Sequence, residues 1–324
     1  MKNHIQNFMN RTNALVESGI LAALAVVMAT VAVYVPVLGL FVNFIWPLPI
    51  IACGVRNGLK WSFLTTLVAG IICAIILNPL QALILVAVFG LLGLILGESM
   101  RRNSNPLYIL TLGSLGALLA MAINFALAFW VLDINPIAML FESFDQSLVQ
   151  MADFQRAQGI AEAEITASID SYKKLIEMMR VILPGAFLLT APVLSFINYW
   201  VAKKILTKLG NHFEDLPPFR EFAVPAWLVL PYALSLFGVT YFYNTDPNGW
   251  GYRTLVNIQI ICSAIFVIQG LALMYWYVYT KNKPHWWATA ATFLVFFQLA
   301  SLVILWVGAF DSIADFRKIR GKKS

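Results

Sequence analysis

The 324-residue chain is 60% hydrophobic and only 12% charged, with a net charge of +6 and a mean hydropathy of +0.78. Soluble domains carry about 25% charged residues, and a bilayer core needs about 20 apolar residues per helix. The composition therefore excludes a soluble globular domain and predicts an all-α, polytopic transmembrane helical bundle. A transmembrane barrel would show short alternating segments, and no nucleic-acid-binding module is present.

Nine apolar segments follow in chain order, at 13–35, 38–55, 59–77, 80–97, 107–131, 180–202, 223–242, 253–279 and 286–308. The basic residues preceding the first lack a small-residue cleavage site, so the first segment reads as a retained span. Lys and Arg mark cytoplasmic loops. Lys2 and Arg11, Arg56 and Lys60, Arg101 and Arg102, and Lys203, Lys204 and Lys208 fall at alternate connections. This predicts a multi-pass protein of a cytoplasmic membrane with its N-terminus inside. The C-terminal third fits less well. Lys281 and Lys283 ask for a cytoplasmic loop, which sends the basic tail DFRKIRGKKS outside unless one late segment does not cross. Eight or nine spans are expected.

The one long polar stretch, 132–179, holds eight acids and three bases, a net charge of −5 on the expected outer face. Phe141, Phe144, Leu148 and Met151 recur at helical spacing; Gly159 interrupts, and Ile165, Ile169, Tyr172 and Ile176 resume. An extracytoplasmic helical hairpin is predicted, either a lid or a pair of interfacial helices. The expected organisation is 1–131 as the first five spans of a six-span module, 132–179 as the hairpin and 180–202 as the sixth span. A cytoplasmic linker at 203–222 and a C-terminal extension of two or three spans at 223–324 follow.

Catalytic machinery is missing from the pattern. The stretches 18–53, 61–97 and 106–132 contain no Asp, Glu, Lys, Arg or His, whereas ion-coupled carriers need such groups near mid-membrane. His4, His212 and His285 lie in loops or at span ends, and no phosphate-binding GxxxxGK[ST] loop occurs. Cys53, Cys73 and Cys262 lie in apolar runs as small hydrophobes, without a disulfide framework or a metal site. The chain reads as a non-enzyme without cofactors, unable to power transport with ATP alone. Glu17, in the first turns of span one, suits the positive end of a helix dipole.

Two groups of residues are candidates for function. Gly19, Ala23, Ala25 and Ala29 are small residues four apart in pairs, a spacing that lets helices approach closely in lipid, for internal packing or for a partner. Asn43, Asn78, Gln81, Asn124, Asp133, Asn135 and Arg180 are polar residues that fall towards the outer face. Trp46 and Trp130 are available as aromatic walls, with the aromatic belt as the alternative. Together they suggest a pocket for a small polar or amphipathic solute.

The stretches TNALVESGILAAL, FIWPLPIIACGVRNGLKWS, VFGLLGLILGESMRR, LPPFREFAVP, VIQGLALMYWY and GAFDSIADFRKIR resemble the YybS family of bacterial membrane proteins, in order and over nearly the whole chain. The first six spans also resemble the substrate-binding S-components of energy-coupling factor transporters. That resemblance implies an alanine-rich first helix docking a transmembrane coupling subunit that works with ATPase subunits, and a solute site near the outer face. Ala25 and Ala29, with Gly19 and Ala23, take the docking role in this reading, and the outer polar residues take the solute. The expected function is capture of an unknown small solute by a protein embedded in the lipid bilayer, energised by a partner complex. The alternative is a membrane scaffold without a solute.

Overall fold

A computed structural model describes residues 2–131, 133–247, 249–284 and 286–318, without the side chains of residues 2–10, Leu40 and Asn43. Among these residues all regular structure is helical. Seven helices are long and apolar enough to cross a membrane, and a sharply bent pair supplies up to one more. The helical membrane bundle expected from composition is the fold. Two compact units divide it, 1–145 with 190–216 and 146–189 with 217–324.

The first unit starts with α1 (Lys2–Tyr34), α2 (Pro36–Ile45), α3 (Leu48–Asn57) and α4 (Leu59–Ile76). The expected second span, 38–55, is not one helix: α2 and α3 are ten residues each and break at Trp46–Pro47. Pro47 has no N–H to donate and its ring crowds the preceding turn. Each half is about 15 Å long, too short to cross a core of about 30 Å. Gly58, at φ 88°, then turns the chain directly into α4, a conformation that side chains with a Cβ disfavour.

Next come α5 (Pro79–Leu85), a π-helical turn at Val86–Gly90, α6 (Leu91–Arg101) and α7 (Pro106–Val131). α3 and α6 pack at a glycine crossing: a Cβ on Gly54 would stand 3.0 Å from Gly97 Cα, and one on Gly93 would stand 2.8 Å from Ile50 Cγ2. Small residues permit this approach where lipid offers no hydrophobic driving force. Ala25 and Ala29 of α1 are fully buried with Trp46, Ile50 and Ala69. Ile51, Leu92, Leu96 and Ile109 form a second cluster with Tyr199 and Leu206.

The hairpin is present as α8 (Pro136–Ala157) and the start of α9 (Glu162–Lys208), joined at Gly159 with φ 78°. Arg156 bonds Glu162 at 2.6 Å and Ser168 donates to Gln155 at 3.2 Å across the turn. No break separates the hairpin from the expected sixth span, because α9 runs on for 47 residues, about 70 Å. Pro184 lies inside it and cannot donate to the Arg180 carbonyl. One turn of the ladder is then bridged by a side chain: Asn257 accepts from the Gly185 N–H at 2.5 Å and donates to the Val181 carbonyl at 2.8 Å. Asn257→Leu strands both groups, so it is expected to cost about 2 kcal/mol. Thermal unfolding of the detergent-purified variant measures this, and an unchanged midpoint would refute it.

Asn257 belongs to α11 (Trp250–Thr280), which follows α10 (Val229–Thr245) in the second unit. The last expected span, 286–308, is broken into α12 (Trp286–Leu294) and α13 (Gln298–Ala314), bent by 110°. α12 starts beside the end of α11, where Tyr275 Oη meets Thr292 Oγ1 at 3.0 Å. α13 crosses α11 where a Cβ on Gly308 would stand 2.6 Å from Gly270 N. It ends where Arg317 reaches the linker carbonyls of Arg220 and Phe222. Those linker residues cover the same end of α11: Phe219 packs edge-on to Tyr275 at 5.2 Å and Arg220 lies 3.8 Å over the Tyr279 ring. Both ends of the α12–α13 pair therefore lie at the linker end of α11. These contacts set the residues up to 318 beside the linker, as a re-entrant pair would.

Candidate functional site

Three places gather polar side chains in the described structure: the basic end of the first unit, the far ends of its helices, and the interior of the second unit. At the basic end, Glu17 of α1 pairs with Arg56 at 2.6 Å and accepts from Asn57 at 3.1 Å, tying α1 to the end of α3. One turn deeper, Cys53 Sγ lies 3.4 Å from Ser18 Oγ and 3.2 Å from Thr65 Oγ1. Thr65 also donates to the Ser18 carbonyl. The cysteine fills a small-residue crossing of α1, α3 and α4 and is buried. Glu98 is shared by Arg101 and Arg102, each at 2.8 Å. Lys203, near the end of α9, bonds Asp215 of the following loop at 2.7 Å, and this donor holds the carboxyl below its ordinary range.

The residues read as a pocket are placed less compactly than their positions suggest. Asn78 caps α5, its Oδ1 accepting from Gln81 N at 2.7 Å. Asn135 caps α8, accepting from Ile137 and Ala138 at 3.1 and 3.0 Å. Asn124 is half-buried on α7, while Gln81, Asp133 and Asn135 are exposed. Trp130 is 87% exposed, as an aromatic belt residue would be. Trp46 is a buried peg instead of a pocket wall: its Nε1 donates to the Ala25 carbonyl at 2.8 Å and its ring meets Phe89 edge-on. The side chain of Asn43 lies outside the described residues. Arg180 belongs to the second compact unit, and Asp133 to the first.

The docking residues divide in two. Ala25 and Ala29 are consumed by the chain's own core, each 0% exposed, so they present no surface to a partner. Gly19 and Ala23 point the other way and are exposed.

The second unit contains a site that sequence reasoning missed. Asp311 of α13 is 2% exposed and Arg317 6%. Arg317 Nη2 and Nε reach Asp311 Oδ2 at 2.8 and 3.2 Å, and Gln269 of α11 donates to the same oxygen at 2.6 Å. Gln269 Oε1 in turn accepts from Val224 N at 3.1 Å. Arg317 also donates to the Arg220 and Phe222 carbonyls at 2.7 and 2.8 Å. Asp311 Oδ1 is buried without a protein partner among the described residues. The arrangement is a lock, in which one guanidinium closes the linker over α11 and α13. Part of the signal was available, since Asp311 comes just after the last apolar segment, and a carboxylate so close to a membrane span asks for a named partner.

Comparison with known proteins agrees with a membrane protein. Residues 23–312 match the family model described as "Predicted membrane protein (DUF2232)". The chain is 26% identical over 288 residues to a protein of Bacillus subtilis (strain 168) named "Uncharacterized protein YybS", covering 89% of this chain and 92% of that one. No solved structure matches. The glycine crossing of α3 and α6 and Asp311 fall inside the matched region and Arg317 lies beyond it, and the chain belongs to the DUF2232 family of membrane proteins.

Proposed function

We propose that the protein is non-enzymatic and that its first unit acts as an S-component-like capture module, taking a small solute from the outer face while a docked partner complex supplies the energy. The observation that carries this reading is Gly19. A glycine inside a helix costs about 1 kcal/mol relative to alanine. Among the described residues its small size serves no contact, because a Cβ built there meets nothing within 4 Å. Ala23, one turn on, is exposed beside it. Two small residues on an outward face let a second helix approach closely in lipid. On the solute side, half-buried Asn124 with Trp130 and Asp133 at the end of α7 form the receiving group.

Gly19→Leu and Ala23→Leu are expected to leave the melting of the purified chain unchanged, since both positions are open. They are expected to abolish co-purification of an ATPase-bearing membrane complex and uptake of the solute. Undiminished recovery of that complex with both variants would defeat the docking reading. A second reading, a scaffold without a solute, draws on Asn78 and Asn135, whose side chains are spent on helix caps. It gains if partners bind through Gly19 and no vitamin-like or amphipathic solute raises thermal stability.

A further inference from the structure

We propose that the first unit carries a binding groove for an anionic phospholipid, in the leaflet that meets its basic end. A cavity of about 1140 Å3 opens between α4, α6 and α7. Its wall is apolar over the full depth, with Phe63 of α4, Leu94 of α6, and Leu115 and Leu119 of α7. Its mouth is polar, with Lys60, Glu98, Arg102 and Tyr108. None of these residues belongs to the α1 face invoked for docking, so the proposal stands apart from that reading.

Depth and charge select the occupant. From Tyr108 at the mouth to Leu119 at the base, α7 rises about 16 Å. One leaflet of a hydrocarbon core of about 30 Å is about 15 Å deep. The groove thus matches an acyl chain anchored at one interface. At the mouth a single carboxylate, Glu98, is shared between Arg101 and Arg102. Lys60 is exposed and forms no ion pair among the described residues. Arg102 remains 69% exposed while holding Glu98. Two lining cations, Lys60 and Arg102, against one carboxylate that Arg101 also neutralises leave a positive mouth, and basic pockets between spans on the cytoplasmic side suit anionic headgroups. A soluble anion would use the mouth and leave the apolar wall unfilled. An uncharged partner helix would cover the wall and leave the cations unanswered.

The test uses the full-length chain in nanodiscs of equal phosphatidylglycerol and phosphatidylcholine, with retained lipid read by native mass spectrometry after mild detergent extraction. Phosphatidylglycerol is expected to be retained over phosphatidylcholine. Lys60→Gln and Arg102→Gln should each weaken that preference roughly fivefold, while Lys60→Arg preserves it. Leu115→Trp, on an exposed wall position, should reduce retention of both lipids without touching the cations. Equal retention of the two lipids would overturn the proposal, as would a preference indifferent to the charge variants. Phosphatidylglycerol retention undiminished by Leu115→Trp would mean that surface cations attract headgroups without a groove, which also overturns it. Co-extraction of a helical protein in place of lipid would overturn it too. Unchanged melting of every variant controls for folding.

Discussion

Arg317→Leu is expected to destabilise the second unit by about 3–5 kcal/mol, the range for removing one partner of a buried ion pair. Arg317 makes two bonds to Asp311 and one each to the carbonyls of Arg220 and Phe222, with the Asp311–Arg317 pair side chains 1% exposed. Its loss leaves the Asp311 carboxylate with Gln269 alone. The double variant Arg317→Leu/Asp311→Leu should recover part of the loss, because no uncompensated charge stays buried. Thermal unfolding of purified protein measures both, and limited proteolysis at 217–225 reports release of the linker. A midpoint and a linker protection that match the parent in Arg317→Leu would show that the lock contributes nothing.

The second large effect is one of sidedness. Single cysteines introduced at Glu221, Thr245 and Lys318, with Cys53, Cys73 and Cys262 replaced by alanine, should label from two different sides with a membrane-impermeant maleimide. α10 and α11 each have span length, so the chain crosses twice between the linker and Trp286. If the α12–α13 pair is re-entrant, as the contacts of Thr292 and Arg317 suggest, it returns to the face it left. Glu221→Cys and Lys318→Cys are expected to react from the same side and Thr245→Cys from the other. If Lys318→Cys instead reacts together with Thr245→Cys, the pair spans and the re-entrant geometry is wrong.

Much of this architecture was legible because hydropathy reports whether a segment prefers lipid. It does not report whether the segment stays straight. The break in FIWPLP was written in Pro47 and Pro49, yet a run of apolar residues hides a proline from an average. The α12–α13 bend has no proline at all; it shows only in contacts between residues distant in sequence. The outer polar residues illustrate the opposite error. Asn78 precedes Pro79 and Asn135 precedes Pro136, a cap followed by proline at the first helical position, so their structural use was readable before any pocket was inferred. Asp311 and Arg317 were read with a family signature and a solvated tail, because nothing local shows that the two fold back on each other. Three of the stretches carrying the family resemblance, LPPFREFAVP, VIQGLALMYWY and GAFDSIADFRKIR, meet at that lock.

The lock grips the linker by its carbonyl oxygens at Arg220 and Phe222, groups that every amino acid possesses. Its recognition is therefore of posture instead of identity. Side chains along LPPFREFAVP can be exchanged without deleting a single atom that Arg317 touches. Pro217, Pro218 and Pro225 are different, because they narrow the backbone to the extended path that brings those oxygens into reach. For the grip of Arg317 the spelling that matters is rhythm, the places where the chain is forbidden to bend, while Phe219 and Arg220 add their own side-chain contacts to α11.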